Sequence, residues 1–281
     1  MPSGAYNLSM AIGILAGSLA SLLVLGWSPI APGLAVVAFL GGALWVVGNY
    51  LFIVAVARAG IARSYVAINF SAVLSFVGGV VVLGELPDLD APHFLLVVAA
   101  VGLVMAGSYL VTTTAPKSGP AREGGGAGVK RGLVAAFAST LFFAVYNVMT
   151  AFVMNKAGTP AGVTFVAVAP GIVCGAVVVA ACTPGRALRA WKTAPARWHL
   201  LAVLQGLIWA AAMVCILFGW MGVGIALGTS IQVGIQTLVS SLWGILLFGE
   251  LAGLDNRRVV YARFAGGALL TVCGIAAITS A

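Results

Sequence analysis

The stretch GGALWVVGNYLFIVAVARAGIA (residues 41–62) carries a single charged side chain, that of Arg58. The uncharged run before Arg58 is as long as the roughly 20 apolar residues with which a helix crosses a bilayer. The whole chain has this character, since 62% of its 281 residues are apolar, 7% are charged and its mean hydropathy is +1.14. A soluble domain carries about 25% charged residues. The composition therefore indicates an integral membrane protein and excludes soluble enzymes and nucleic-acid-binding modules, although the net charge is +8.

Nine stretches of the chain are long and apolar enough to cross a membrane as helices. A β-barrel strand would show only about ten residues of alternating hydrophobicity, so we predict an all-α integral membrane protein. The polar segment at residues 113–131 is rich in Gly and Pro and is typical of a flexible linker. The nine predicted spans cover residues 5–26, 34–57, 64–83, 93–112, 132–153, 161–182, 200–220, 223–248 and 262–280.

The basic residues predict how these spans are oriented. Short loops rich in Lys and Arg stay on the cytoplasmic side of a membrane. When the loops between the nine spans are assigned alternately to the two sides, all but one of the 14 Lys and Arg residues fall on the side of Met1, and the exception is Lys156. A wrong span count would scramble this distribution. We therefore predict a multi-pass protein of the cytoplasmic membrane with its N-terminus in the cytoplasm.

Two parts of the chain resemble each other. Residues 41–62 align with QGLIWAAAMVCILFGWMGVGIA (residues 205–226), and the likeness continues to a Gly-Glu-Leu sequence that ends the following span. The two stretches run in opposite directions across the predicted membrane, so we predict inverted repeats, as in many secondary transporters. The matched residues are Gly42, Trp45, Gly60, Ile61, Ala62, Ser75, Gly79 and 84–86, paired with Gly206, Trp209, Gly224, Ile225, Ala226, Ser240, Gly244 and 249–251.

These repeats predict the domain organisation. We expect a first transmembrane repeat of four spans over residues 1–112, a cytoplasmic linker over 113–131 and a second, inverted repeat of five spans over 132–281. The span at 132–153 has no counterpart in this pairing. We therefore expect a carrier of five plus five spans whose first span, which would precede Met1, is missing.

The motifs resemble those of a known transporter group. The run GALWVVGN (residues 42–49), the Gly-Ile-Ala turn at 60–62 and the Gly-Glu pair at 84–85 are similar to sequences of the drug/metabolite transporter superfamily, and within it to the bacterial glucose and rhamnose uptake families. The second repeat departs from this pattern, because Ala212 and Met213 stand where a Gly-Asn pair is expected. The resemblance implies solute transport by alternating access without a cofactor, with a sugar as the first choice of solute.

Charged side chains are missing from the interior of the predicted spans. The six acids lie at span ends or in loops and are Glu85, Asp88, Asp90, Glu123, Glu250 and Asp255. Intramembrane carboxylates serve proton-coupled export of cations, and an anionic substrate would need Lys or Arg in the membrane. The sequence therefore favours a small neutral polar solute.

Uncharged polar and aromatic residues recur at helical spacing within the spans. One face of the eighth span carries Thr229, Gln232, Gln236 and Ser240. Amides cannot face lipid without leaving polar groups unsatisfied, so they must face other helices or a water-filled cavity. Amides beside indole rings suit a sugar, which offers hydroxyls and a C–H face. The predicted solute-binding residues are Trp45, Asn49, Asn69, Asn147, Trp209, Gln232 and Gln236.

Each of these assignments has a structural alternative. Amides also join membrane helices to one another, and tryptophans also pack between helices or lie at the membrane surface. Trp45 and Trp209 occupy equivalent places in the two repeats, so symmetry is expected to bring them towards one axis, with Gln205 one turn before Trp209. The sequence leaves both roles open.

Competing functions follow from the same residues. An exporter of amino acids or other metabolites on the same fold is the alternative transporter. An enzyme is not expected, because His93 and His199 lack a catalytic constellation beside them. Asp88 and Asp90 are typical of a turn, and we expect no metal and no cofactor.

Two groups of small residues complete the picture. The four cysteines are expected to be buried, inert thiols. Three Gly-x-x-x-Gly pairs are expected to pack helices within the monomer or between copies in a homo-oligomer, and they lie at Gly13 and Gly17, Gly171 and Gly175, and Gly224 and Gly228.

Overall fold

A computed structural model describes residues 3–87, 90–113, 125–156, 158–183, 187–246 and 257–280. Every regular element within these ranges is a helix, which confirms the all-α prediction for them. A helix satisfies its backbone N–H and C=O groups internally, where lipid offers no partners. The helices are α1 (Ser3–Leu25), α2 (Pro32–Ala59), α3 (Ile61–Gly78, followed by a π-helical turn at Gly79–Leu83), α4 (Ala91–Thr113), α5 (Gly125–Ala151, followed by a π-helical turn at Phe152–Lys156), α6 (Ala161–Cys182), α7 (Ala187–Thr193), α8 (Ala196–Leu246) and α9 (Arg257–Ser280).

Seven helices of the described residues are long and apolar enough to cross a membrane, and they lie in α1, α2, α4, α5, α6, α8 and α9. The predicted count of nine is therefore not confirmed, and two features account for the difference. The apolar part of α3, Ala67–Leu83, is shorter than a full span, and α8 counts once although it covers two predicted spans. With 51 residues at 1.5 Å each, a straight α8 would extend about 75 Å, more than twice the hydrocarbon core.

The helical backbone of α8 is interrupted at Gly224. This residue has φ 75° and ψ 168°, a conformation essentially restricted to glycine. Gly60, which separates α2 from α3, has nearly the same conformation, with φ 88° and ψ 160°. The backbone thus leaves helical geometry at the two glycines that the sequence repeat aligns.

The chain forms two compact units. Unit 1 contains Met1–Val54 and Leu141–Ile225, and unit 2 contains Ala55–Thr140 and Ala226–Ala281. Each unit therefore takes residues from both halves of the sequence. The predicted repeat boundaries at 112 and 132 describe a relationship of sequence rather than of packing, and they stay a prediction.

Glycines let helix backbones approach closely in unit 1. A Cβ atom at Gly171 of α6 would lie 1.8 Å from the backbone oxygen of Phe39 in α2, and one at Gly13 of α1 would lie 2.1 Å from that of Val203 in α8. Ordinary contacts between such atoms are about 3.5 Å long, so a side chain at either position would push the helices apart. These two Gly-x-x-x-Gly pairs therefore pack helices within the chain. The third pair differs, because Gly224 is the backbone break.

The cysteines correct an expectation. All four are free and exposed, so the prediction of buried thiols is wrong. In a membrane the outer surface of a helix bundle meets apolar lipid, so a small apolar side chain gains little from burial. The four residues are Cys174, Cys182, Cys215 and Cys273.

Some of the predictions fall outside the described residues. These are the linker at 114–124, which includes Glu123, the acids Asp88, Glu250 and Asp255, and the side chain of Ser240.

Candidate functional site

Unit 1 contains a cavity of about 540 Å³ with mixed polar and apolar walls, here called the unit 1 cavity. Helical spacing explains why these residues share one space, because positions three, four and seven apart lie on one face of a helix. The lining residues are Ser3, Tyr6 and Met10 of α1, Asn49, Phe52 and Ile53 of α2, and Gln205 of α8. Among the described residues, no side chain that lines the cavity carries a charge. The cavity can therefore offer hydrogen bonds and apolar contacts, but no ion pair.

Hydrogen bonds join the helices around the unit 1 cavity. The Tyr6 hydroxyl donates to Oε1 of Gln205, which leaves the amide nitrogen of Gln205 as a further donor. Nδ2 of Asn49 donates to Oδ1 of Asn7 over 2.9 Å. Asn7 is only 3% exposed, and its Nδ2 has no hydrogen-bond partner among the described residues. Some amide groups of the site thus have a hydrogen-bond partner within the protein, while Nδ2 of Asn7 has none among the described residues.

A cluster of aromatic rings continues from the polar residues along the same helices. The ring centroids of Trp45 and Trp209 are 4.6 Å apart, with 47° between the ring planes. Trp45 also contacts Phe143, and Trp209 contacts Phe165, with centroid separations of 6.2 and 6.0 Å. Trp45 lies one turn before Asn49, and Trp209 lies one turn after Gln205. The expectation that the two tryptophans come together is confirmed, whereas a role in solute binding stays a prediction.

A second hydrogen-bond network fixes α1, which supplies one wall of the cavity. The buried hydroxyl of Ser9 accepts a bond of 2.9 Å from Nε1 of Trp191 and pairs with Nδ1 of His199 over 2.8 Å. An indole nitrogen can only donate, so the Ser9 hydroxyl proton remains for the histidine ring. Ser9 therefore links α1 to both α7 and α8.

The remaining polar residues of the predicted site, apart from Asn147, lie in unit 2. Nδ2 of Asn69 in α3 donates to Oγ1 of Thr237 in α8 over 3.3 Å. Gln236 forms a side-chain hydrogen bond with Tyr65 of α3. Oε1 of Gln232 has no hydrogen-bond partner among the described residues. The second half of α8 thus contacts α3 through the side chains of Gln236 and Thr237.

Unit 2 also has a cavity of about 500 Å³ between α3 and α4, here called the unit 2 cavity. Its lining is apolar except for Asn69 and the hydroxyl of Tyr109. This composition suits hydrocarbon rather than a solute rich in hydroxyl groups.

The structure therefore distributes the predicted site residues between the units. Asn49 lines the unit 1 cavity. Trp45 and Trp209 contact each other in unit 1 and Asn147 is half-buried on α5, but these three are not among the lining residues. Asn69, Gln232 and Gln236 lie in unit 2.

Sequence reasoning missed the contribution of α1 to the unit 1 cavity. Ser3, Tyr6 and Met10 stand three and seven residues apart, a spacing that could have revealed this face. The signal was weak, because the polar residues stand at the edge of the first apolar stretch. Among the described residues, no cluster of His, Cys, Asp or Glu could hold a metal ion.

Comparisons with known proteins are consistent with this geometry. The chain matches the family model described as "Sugar transport protein" over residues 90–280, roughly two thirds of its length. It is also similar to a solved structure described only as a crystal structure of a protein, with 20% identity, a TM-score of 0.67, and coverage of 97% of this chain and 89% of that chain. At this identity the likeness concerns the fold alone. No curated protein matches the chain.

Proposed function

Because the chain belongs to the sugar transport protein family, we propose that it is a secondary carrier that moves a small neutral polar solute, with a sugar as the first choice, across the cytoplasmic membrane by alternating access. The chain is a multi-pass membrane protein, since seven of its described helices can cross a bilayer. The family supports a transport activity rather than a catalytic one.

The unit 1 cavity is the observation that carries the proposal. Its volume of about 540 Å³ falls within the range of small-molecule sites, which is about 300–1,000 Å³. Tyr6, Asn49 and Gln205 supply neutral donors and acceptors to solute hydroxyls. Trp45 and Trp209 adjoin them with indole faces that suit the C–H face of a sugar ring. An ionic solute would find no counter-charge on this lining.

The position of the cavity along its helices supports access from the cytoplasm. Tyr6 stands near the start of α1, Gln205 near the start of α8, and Asn49 in the second half of α2, which ends next to Arg58. The distribution of basic residues predicts that these helix ends lie on the cytoplasmic side. A cavity at this level suits the inward-facing state of a carrier.

The repeated backbone break supports the inverted repeats. Gly60 and Gly224 are aligned by sequence and share a positive φ with an extended ψ. Alternating access in such architectures proceeds by exchange of the conformations of two related repeats. Equivalent breaks in both repeats provide matching points at which each can bend.

Counterflow in proteoliposomes tests the proposed function. Vesicles containing the purified protein and loaded with unlabelled glucose or rhamnose should accumulate the labelled sugar, whereas protein-free vesicles should not. Accumulation of labelled amino acids without any sugar would replace this function with that of the amino acid or metabolite exporter. Accumulation of neither class would contradict the neutral-solute proposal.

A pair of tryptophan variants tests the location of the site. Trp209→Leu should raise the sugar KM about fivefold, because an aromatic contact contributes on the order of 1 kcal/mol. Trp27→Leu is the matched control, since Trp27 lies between α1 and α2 and is 66% exposed. Equal KM values for the two variants would exclude the aromatic pair from the site.

A further inference from the structure

Glu85 makes a contact that the proposed solute site does not use. It follows the π-helical turn at Gly79–Leu83, and its Oε2 accepts a hydrogen bond of 2.8 Å from the backbone nitrogen of Ala226 in α8. Both residues belong to unit 2. The sequence alone places Glu85 at a span end and indicates no partner for it.

The backbone around Glu85 is shaped for this contact. Gly84 adopts a left-handed conformation with φ 67°, and the backbone nitrogen of Glu85 donates to the oxygen of Gly79 over 3.0 Å. A Cβ atom at Gly79 would lie 2.7 Å from Oε2 of Glu85 and 3.0 Å from the nitrogen of Ala226. Glycine at position 79 therefore leaves room for the carboxylate beside the start of the second half of α8, and a larger residue would require Glu85 or Ala226 to shift.

The backbone N–H of Ala226 needs a hydrogen-bond acceptor from outside its own helical segment, and the Glu85 carboxylate supplies it. Because Gly224 interrupts α8, residues from Ile225 onward begin a new helical segment. The first N–H groups of a helix have no partner within it, and a negative charge near them is favourable. The Glu85 carboxylate thus acts as a capping group supplied by the segment that follows the π-helical turn after α3.

We propose that Glu85 is a positioning residue that fixes the start of the second half of α8 and thereby holds the predicted solute-binding residues of that segment in place. That segment carries Thr229, Gln232 and Gln236, within three turns of Ala226. The contact with Glu85 matters because Gly224 interrupts the helical backbone just before this segment. This inference rests on the proposed function for its effect on transport, but not for its effect on the structure.

Cysteine labelling measures the structural effect without any solute. In a chain whose four native cysteines are replaced by Ala, Leu227→Cys introduces a thiol next to Ala226, at a partly buried position packed against the unit 2 core. Hydrogen bonds to charged groups contribute a factor of about 10 to 100 to an equilibrium. Glu85→Ala should therefore raise the rate of labelling by a small thiosulfonate reagent by at least about tenfold.

Two further variants keep this test decisive. Glu85→Gln has the same shape and keeps an acceptor oxygen but loses the charge. Its labelling rate should therefore fall between that of the protein with Glu85 and that of Glu85→Ala. Glu85→Gln takes the place of Glu85→Ala in the test if Glu85→Ala does not fold. Asp90→Asn is the matched control, because Asp90 bonds to His93 of its own helix. Unchanged labelling in both Glu85 variants, or an equal rise in Asp90→Asn, would overturn the proposal.

Transport kinetics measure the functional consequence. Glu85→Ala should raise the solute KM about tenfold and change the maximal rate by no more than about twofold, since the predicted solute-binding residues Gln232 and Gln236 are displaced while the unit 1 cavity is intact. Faster labelling in a protein that transports no sugar would retain the positioning role and reject the proposed function. Sugar transport with normal KM in the Glu85 variants would reject the positioning role alone.

Discussion

Asn49 can serve the fold, the solute or both, and a double-mutant cycle with Asn7 separates these roles. The two amides share one hydrogen bond of 2.9 Å between α2 and α1. Asn7 is 3% exposed, whereas Asn49 also lines the unit 1 cavity. Asn49→Ala therefore removes the partner of a buried amide and a cavity group at the same time, while Asn7→Ala removes the partner alone.

The structure gives the size of each effect. Leaving the Asn7 amide buried without its partner costs about 1–3 kcal/mol of unfolding free energy. Interhelical hydrogen bonds in membranes are coupled by about 0.6 kcal/mol on average, and at most about 1.7. We therefore expect Asn49→Ala to destabilise the protein less in the Asn7→Ala background, by about 1 kcal/mol. A direct bond to the solute would contribute a factor of about 2 to 10 in affinity in either background.

Two measurements on the four purified proteins decide between these roles. Unfolding in detergent reports the coupling, and equilibrium binding of labelled glucose or rhamnose reports the affinity. Weaker binding after Asn49→Ala in both backgrounds would assign Asn49 to the solute. Coupling in stability with unchanged binding would reduce Asn49 to a helix contact, and the absence of both effects would refute the reasoning.

Two further predictions concern stability. Gly171→Ala should lower the melting temperature, because its Cβ would lie 1.8 Å from the backbone oxygen of Phe39. Gly219→Ala is the control and should leave the melting temperature unchanged or slightly higher, because no atom lies within 4 Å of its Cβ. Equal shifts in the two variants would contradict the close packing of α6 and α2. The pKa of Asp90 lies below its usual range because the backbone N–H of His93 donates to its carboxylate, with a further bond from the His93 ring. The hydrogen bond that caps the start of α4 should therefore be fully formed at pH values above the usual pKa of an aspartate, and it should be lost as the pH falls through the lowered pKa of Asp90. Amide hydrogen exchange at His93 measures this loss, with Asp90→Ala as the uncapped reference.

Much of the fold could be predicted because lipid imposes simple rules. The long uncharged runs required helices, and the described helices α1, α2, α4, α6 and α9 lie within a few residues of predicted spans. The alignment of Gly60 with Gly224 selected the two residues whose backbone is alike. The span count was harder, since an apolar run records length but not the point at which a helix bends. Only coordinates show that α8 passes through Gly224 with a break instead of a loop.

The site was predicted in part. Because Trp45 and Trp209 occupy equivalent positions in the sequence repeat, they were predicted to lie close together, and their rings are in contact. The contribution of Tyr6 and Asn7 was missed, because which face of α1 meets α2 and α8 depends on the close packing at Gly13. The contact of Glu85 with Ala226 joins residues 141 positions apart, a relationship that local patterns do not encode.

The amino-acid sequence by itself determined that the chain lies in lipid, that its spans are helices and that the interior of these spans is uncharged. Each of these properties follows from the free energy of moving side chains and backbone from water into lipid. That transfer depends on composition and spacing, which can be read along one chain. The tertiary structure decided which amides bond to each other and which line the unit 1 cavity, and it decided what Glu85 caps. These outcomes depend on the rotation and separation of helices far apart in sequence, and close contacts at glycines such as Gly13 and Gly171 determine that geometry.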